Sequence, residues 1–305
     1  MHHLKRREEI VLVPEYTSRS ESFERCALVD GTVGSVHMGL GLCRLEDGHV
    51  DTHVHSFEES FFVLEGEPIL YLDARGVALA PGACGVVPVG VPHAWRVDGG
   101  AASWIDMMAP RPRRPGEGPP DTFFVAPAPS SAPAQLDVRD PRNRNLFRLD
   151  DWQMDVDHLK VGAPVDEPTV SASMATALLA YSGIAVKMLV DQRVDAHLHT
   201  MFMVQYQPGG VAQPHDHPFE ESYYMLEGVV EVVADDQRYT LSPGDVFWTG
   251  VGCVHAFYNT SGKGVKWLET SAPAPSDRHS YRFNRDWDYL EAQLASSQQL
   301  ETTGT

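Results

Sequence analysis

The segment His53-Val-His55-Ser-Phe-Glu-Glu59-Ser-Phe-Phe-Val-Leu-Glu-Gly66 returns later in the chain as His215-Asp-His217-Pro-Phe-Glu-Glu221-Ser-Tyr-Tyr-Met-Leu-Glu-Gly228. A further histidine follows each copy at the same distance, His93 and His255, so every corresponding pair is 162 residues apart. A repeat of this length divides the 305-residue chain into two units of one domain type. Whatever the chain folds into, it folds into it twice.

Each unit reads as β structure. Residues 60–64, 69–72 and 85–87 in the first half are short β-branched or aromatic runs, and 184–207, 222–226, 229–233 and 246–248 answer them in the second. Turn signals fall at Asp47-Gly48, Pro81-Gly82, Gly209-Gly210 and Pro243-Gly244. Many short strands at regular spacing indicate sandwiches or barrels rather than a parallel sheet. The expectation is an all-β chain of two tandem barrels: an N-terminal domain over 1–110, a proline-rich linker and connecting segment over 111–165, a C-terminal domain over 166–285, and a closing helix and tail over 286–305. A leading strand is expected at 10–13 and a short helix around 152–159. Arg111, Arg113 and Arg114 fall in the linker, where a solvated run is a plainer reading than a phosphate site.

The net charge of −18 and pI near 5.1 argue against nucleic acid as a partner. Cys26, Cys43, Cys84 and Cys253 show no paired spacing, so free thiols and a reducing compartment are expected. No apolar run is long enough to span a bilayer, and the charged first residues lack a signal core, which points to a cytoplasmic protein. His2 and His3 are expected to be solvent-exposed.

The histidines carry the chemistry. Alternate side chains of a strand share a face, so His53 points with His55 and His215 with His217. Glu59 and Glu221 must return from the next strand after a tight turn, and His93 and His255 from a later one. Three imidazoles and a carboxylate then converge in each half as ligands for a divalent transition metal, two ions per chain. Such a set leaves two positions of an octahedron open and suits Fe(II) best, with Mn, Ni, Cu or Zn as further candidates. A structural zinc site would more often be closed by sulfur or nitrogen ligands.

These motifs resemble those of the cupin superfamily, G-x5-H-x-H-x3-4-E-x6-G followed by G-x5-P-x-G-x2-H-x3-N. The C-terminal copy matches at Gly209, His215, His217, Glu221 and Gly228, then at Gly244, Gly252, His255 and Asn259, with Gly250 in place of proline. The N-terminal copy matches from His53 to Gly66 and at Gly82, Pro88, Gly90 and His93, with Asp47 for the leading glycine and Val97 for the asparagine. The resemblance implies two jelly-roll barrels, a bicupin. In length and layout the chain is similar to quercetinase-type dioxygenases and ureidoglycine aminohydrolases. The latter family's Glu-x-His-x3-His pattern is absent here.

The resemblance and the ligand set together point to a metal-dependent enzyme for a small organic molecule, an Fe(II)-type dioxygenase foremost. The alternatives are a redox-neutral Mn-dependent hydrolase, decarboxylase or isomerase, or a non-catalytic binding protein. Catalysis is expected at the C-terminal site, with Glu221 at its centre. His199, which like His37 obeys the offset, is placed by strand parity at the barrel mouth as an acid/base group; a structural histidine is the plainer alternative. Met201, Met203, Gln205, Tyr223, Trp248 and Phe257 are expected to line the second pocket, and Arg96 to clamp a substrate carboxylate in the first. Glu58 and Glu220 are expected behind or outside the ligand shell. An exposed edge at 10–13 and the resemblance together suggest a homo-oligomer.

Overall fold

A computed structural model describes residues 1–114, 116–127, 131–154, 183–274 and 282–283. The first half contributes β1 (His2–Lys5), β2 (Val13–Pro14), β3 (Ser20–Val29), β4 (Gly39–His55), β5 (Glu58–Glu65), β6 (Ile69–Leu72), β7 (Arg75–Ala78), β8 (Ala83–Val87) and β9 (His93–Ala109). Three short strands follow, β10 (Thr122–Phe124), β11 (Ala134–Gln135) and β12 (Leu146–Arg148). The second half contributes β13 (Ile184–Val190), β14 (Thr200–Tyr206), β15 (Val211–Asp216), β16 (Glu220–Glu227), β17 (Val230–Ala234), β18 (Gln237–Leu241), β19 (Val246–Thr249), β20 (His255–Tyr258), β21 (Val265–Ala272) and β22 (Arg282–Phe283).

In the second half a six-stranded sheet, β1-β19-β16-β21-β14-β13, faces a five-stranded one, β18-β17-β20-β15-β22. Between them lies a core of Phe202, Val204, Tyr206, Tyr223, Phe247, Phe257 and Trp267. In the first half both faces merge into one eleven-stranded sheet, because β4 and β9 run for 17 residues each and serve both. They bend at bulges between Glu46 and Gly48 and between Val50 and His53. At the first of these Asp47 has φ +42°, and a Cβ on Gly48 would lie 2.1 Å from the Glu21 carbonyl. The displaced glycine of the repeat is required by that crossing. Phe23, Phe61, Trp95 and Trp104 fill the first bore.

The two barrels pack outer face to outer face. Leu28, Met38, Leu40, Phe62, Ile105 and Met107 of the first meet Met201, Met203, Trp248 and Leu268 of the second in one buried cluster. Two carboxylates cross this interface reciprocally. Glu58 accepts from the backbone N–H of His197 (2.9 Å) and Leu198 (2.8 Å) and lies 3.3 Å from His199 Nδ1. Glu220 accepts from Ser35 Oγ (2.6 Å) and the N–H of Val36 (2.8 Å) and His37 (3.3 Å). Both are buried, and a carboxylate out of water is tolerated when its lone pairs are filled in this way.

Several expectations are corrected. Residues 10–12 form no strand; β2 begins at Val13. The first residues do not belong to the N-terminal barrel: β1 adds to the second, with His2 opposite Thr249 and Lys5 opposite Val246. His2 is accordingly half-buried, hydrogen-bonded to Asp235 (3.0 Å) and Tyr239 (2.9 Å). The segment after 110 is more than a spacer, since β10 pairs with β4, β11 with β7 and β12 with β8. Its arginines are engaged locally, Arg111 and Arg114 with Glu117 and Arg113 with Asp121. Helical structure among the described residues is limited to 3-10 turns, including Asp151–Met154. Residues 155–159 and the expected closing helix at 286–294 lie outside the described residues. All four cysteines are buried free thiols.

Candidate metal centres

The four residues of the first motif converge from three strands. His53 and His55 end β4, Glu59 lies in β5 and His93 opens β9, directly opposite His53 in register. Their donor atoms all lie within 4.8 Å of one another. Glu59 Oε2 stands 3.1 Å from His55 Nε2 and 3.3 Å from His93 Nε2, and the rings of His53 and His93 are 4.0 Å apart. In the second barrel His215 lies in β15, His217 just past its end, Glu221 in β16, and His255 opens β20. The donors of His217, Glu221 and His255 gather within 4.8 Å, and the His215 ring is 4.4 Å from that of His255.

Each imidazole is oriented by its other nitrogen. Nδ1 of His53, His93, His215, His217 and His255 faces the backbone carbonyl of Asp51, Val91, Gln213, Phe219 and Cys253 respectively, at 2.7–3.1 Å. Nδ1 of His55 meets Thr122 Oγ1 at 2.9 Å. A carbonyl can only accept, so Nδ1 carries the proton and the Nε2 lone pair is left for the centre of the cluster. This is the outer support by which proteins aim histidines at a metal. In the first cluster Glu59 Oε2 and His93 Nε2 are buried and face each other, with His55 Nε2 beside the carboxylate.

Protonation follows the same pattern. Burial, with the neighbouring histidines, pushes His53 down to about 3; burial and the proximity of His215 do the same for His255. His55 and His215 are lowered as well, chiefly by burial. Burial alone would raise Glu59 and Glu221, but the facing histidines outweigh it, holding Glu59 well below the carboxylate range and Glu221 to about 2. His217 is the exception: burial lowers it, yet Glu221 at 2.8 Å raises it overall. Neutral imidazoles around an anionic carboxylate are what a divalent cation needs from its ligands. The residues present fit a metal ion in both halves.

Among the pocket residues inferred from sequence, Tyr223 and Phe257 line the second bore. Met201, Met203 and Trp248 do not; they lie in the cluster between the barrels. Gln205 shares the outward parity of Met201 and Met203, while Phe202, Val204 and Tyr206 face the bore. Both faces of β14 are apolar because both are buried, so the pattern of β14 alone does not tell inside from outside. His199 is fully buried against Glu58 of the other barrel, not at the mouth of its own. Arg96 is exposed and paired with Asp98, which removes it from the first centre.

Other residues near the clusters were not foreseen. Phe124 and Thr122 of β10 lie along His53 and His55, and Tyr16 packs 6.0 Å from the His53 ring. A segment read as linker thus walls the first centre, and β22 runs along β15 at the second. Inside the first bore Arg25 forks onto Asp106 (2.6 and 2.9 Å), with Cys43 Sγ 3.1 Å from the same carboxylate. The equivalent place in the second holds Glu269, which accepts from Trp267 Nε1 at 2.8 Å. Burial and the adjacent Glu221 push its carboxyl well above the usual range. A signal for this contrast was present: Phe61 and Tyr223 stand at equivalent places in the repeat.

Comparison with known proteins agrees with this architecture. The sequence profile of the cupin domain matches the chain twice, over residues 41–108 and 202–271. With two such domains in one all-β chain, the protein is a bicupin. Salicylate 1,2-dioxygenase from Pseudoaminobacter salicylatoxidans, in its gentisate adduct, superposes with a TM-score of 0.62 at 15% identity, covering 89% of this chain and 81% of that one. A single-residue variant of oxalate decarboxylase from Bacillus subtilis gives 0.62 at 14%, with 96% and 83% covered. A putative glyoxylate induced protein from Pseudomonas aeruginosa gives 0.58 at 17%, with 88% of each chain covered. At these identities the likeness is one of fold. No curated protein matches the sequence.

Proposed function

We propose that this bicupin is a metal-dependent enzyme acting on a small organic molecule, and that each chain binds two divalent transition-metal ions. The observation that carries the proposal is the repeated set of three histidines and a glutamate, with imidazoles aimed by their Nδ1 hydrogen bonds. His53, His55, Glu59 and His93 would hold one ion, and His215, His217, Glu221 and His255 the other. A bound ion would supply Lewis acidity and, if it is iron, a site for dioxygen activation. Four protein ligands leave room for substrate at the same ion. The protein's own contribution is to fix the ligands, to wall the site with Tyr16 and Phe124 in the first barrel and Tyr223 and Phe257 in the second, and to keep bulk water away.

Fe(II)-dependent oxygenation of an aromatic or other planar substrate is the favoured reaction, and the donor set of imidazoles and a carboxylate supports it. A redox-neutral, Mn-dependent reaction such as decarboxylation is the second reading. It is favoured by Glu269, a buried carboxyl held protonated beside Glu221, which would be placed to return a proton to substrate. The test is metal analysis of untagged protein purified without added metal, followed by turnover of aromatic and short dicarboxylic acids with and without dioxygen. Oxygen-dependent product with iron bound supports the first reading. Equal anaerobic turnover with manganese supports the second. Protein with neither metal nor turnover would refute both.

A further inference from the structure

The two centres share a ligand pattern, yet their carboxylates keep different company. Across the sheet Glu59 faces Met108, and two positions on stands Phe61; neither side chain can donate a hydrogen bond. Glu221 faces Ser271, whose hydroxyl donates to Oε1 at 3.1 Å. Two positions on stands Tyr223, whose hydroxyl donates to Glu221 Oε2 at 2.6 Å and lies 2.9 Å from His255 Nε2. Because His255 Nδ1 is committed to the Cys253 carbonyl, Nε2 is the nitrogen that faces a metal. The tyrosine hydroxyl stands directly against it. Tyr223 is 1% exposed, and its ring is set between Phe257 (4.8 Å) and Phe247 (6.0 Å), so it does not move aside freely.

We propose that Tyr223 guards the second centre, so that a divalent cation fills the first centre ahead of it. The inference rests on the reading of both clusters as metal centres. The phenol has one proton, which Glu221 Oε2 takes, so against His255 Nε2 its oxygen stands as an occupant of the space a cation must enter. Entry to the second centre therefore displaces the Tyr223 hydroxyl from His255 and makes the ion share a carboxylate that already accepts two hydroxyl hydrogen bonds. Hydrogen bonds to charged groups are the stronger kind, and in a buried site water does not replace them. In the first centre no hydroxyl is hydrogen-bonded to Glu59 Oε2 or His93 Nε2, which face only imidazole and carboxylate partners. The difference in affinity corresponds to about tenfold or more.

The chain would then hold one ion firmly and a second only when metal is abundant. Tyr223 acts here as a positioning residue, through His255 and Glu221. The experiment is Co(II) titration against a competing chelator, read from visible absorption of the bound ion, with folding checked by circular dichroism. His53→Ala isolates the second centre and His215→Ala the first. Wild type should load in two steps. Tyr223→Phe on the His53→Ala background should tighten Co(II) binding by about tenfold or more, and Phe61→Tyr on the His215→Ala background should weaken it. Unchanged or weaker binding after Tyr223→Phe overturns the guard; weaker binding would mean that the phenol oxygen is itself a ligand. If neither centre takes up Co(II), the metal reading falls first. If both do and Tyr223→Phe is neutral, only the guard falls.

Discussion

Glu59 and Glu221 are equivalent in the repeat, and each joins the histidines of its own barrel. Removing a ligand on either side should remove an ion. His53→Ala and His215→Ala are each expected to lower metal content by about one equivalent, measured by elemental analysis after gel filtration. An unchanged total in either variant would exclude that half. If catalysis rests on the second centre, Glu221→Gln should cost more than the roughly 10–100-fold typical of supporting residues, at matched folding and metal load. An equal or larger loss in Glu59→Gln would reassign the chemistry to the first barrel. Acid should act through His53 and His255, both lowered to about 3 by burial first. Below their unfolded value near 6.5 the unfolded chain binds more protons than the fold, so stability falls as pH drops from about 6.5 to about 3. Chelator-treated protein should therefore unfold at a lower temperature at about pH 5 than at about pH 7.5, as differential scanning calorimetry would register; a flat profile would contradict the buried neutral imidazoles.

At the scale of the strand, the reciprocal carboxylates are the most consequential contacts. Glu58→Ala would strand the N–H groups of His197 and Leu198 in a buried interface, and Glu220→Ala those of Val36 and His37. Each substitution is expected to cost about 3 kcal/mol in urea denaturation, and a loss below about 1 kcal/mol would show that water replaces the carboxylate. These contacts were illegible in the sequence because each donor lies in the other barrel, far along the chain. The repeat, its ligands and their arrival from three strands were legible, because His-x-His-x3-Glu with a distal histidine states alternation and turn at once. Tyr223 and Phe257 could be placed by strand parity. Met201, Met203 and Trp248 could not, since a sheet buried on both sides has no polar face to mark its orientation. Slipping β14 by one residue would trade Phe202, Val204 and Tyr206 for Met201, Met203 and Gln205 in the bore, and mispacking a core in this way costs about 1–3 kcal/mol. That penalty fixes the register in the fold without leaving a trace in the hydrophobic pattern. Thr122–Phe124 were hidden for another reason: three residues amid prolines become a strand only because β4 offers an edge.

At the scale of the molecule, the barrels share one apolar cluster rather than a wet contact. Thermal unfolding is expected as a single transition with equal calorimetric and van't Hoff enthalpies, and two resolved transitions would show the halves to be independent. Homo-oligomer formation no longer has an exposed strand at 10–12 to argue for it; light scattering at micromolar concentration decides it, a monomer mass refuting the expectation. The placement of β1 has a bearing on how such a chain is made. His2–Lys5 are synthesised roughly 240 residues ahead of their partner Val246–Thr249. At ordinary synthesis rates of about 5–20 residues per second, that is a delay of about 12–50 s. During that interval the first barrel can complete itself with β1 unmatched, and the second cannot close its six-stranded sheet until β19 has emerged to meet β1. The ladder between β1 and β19 is thus a seam sewn late, joining two segments that are made far apart in time.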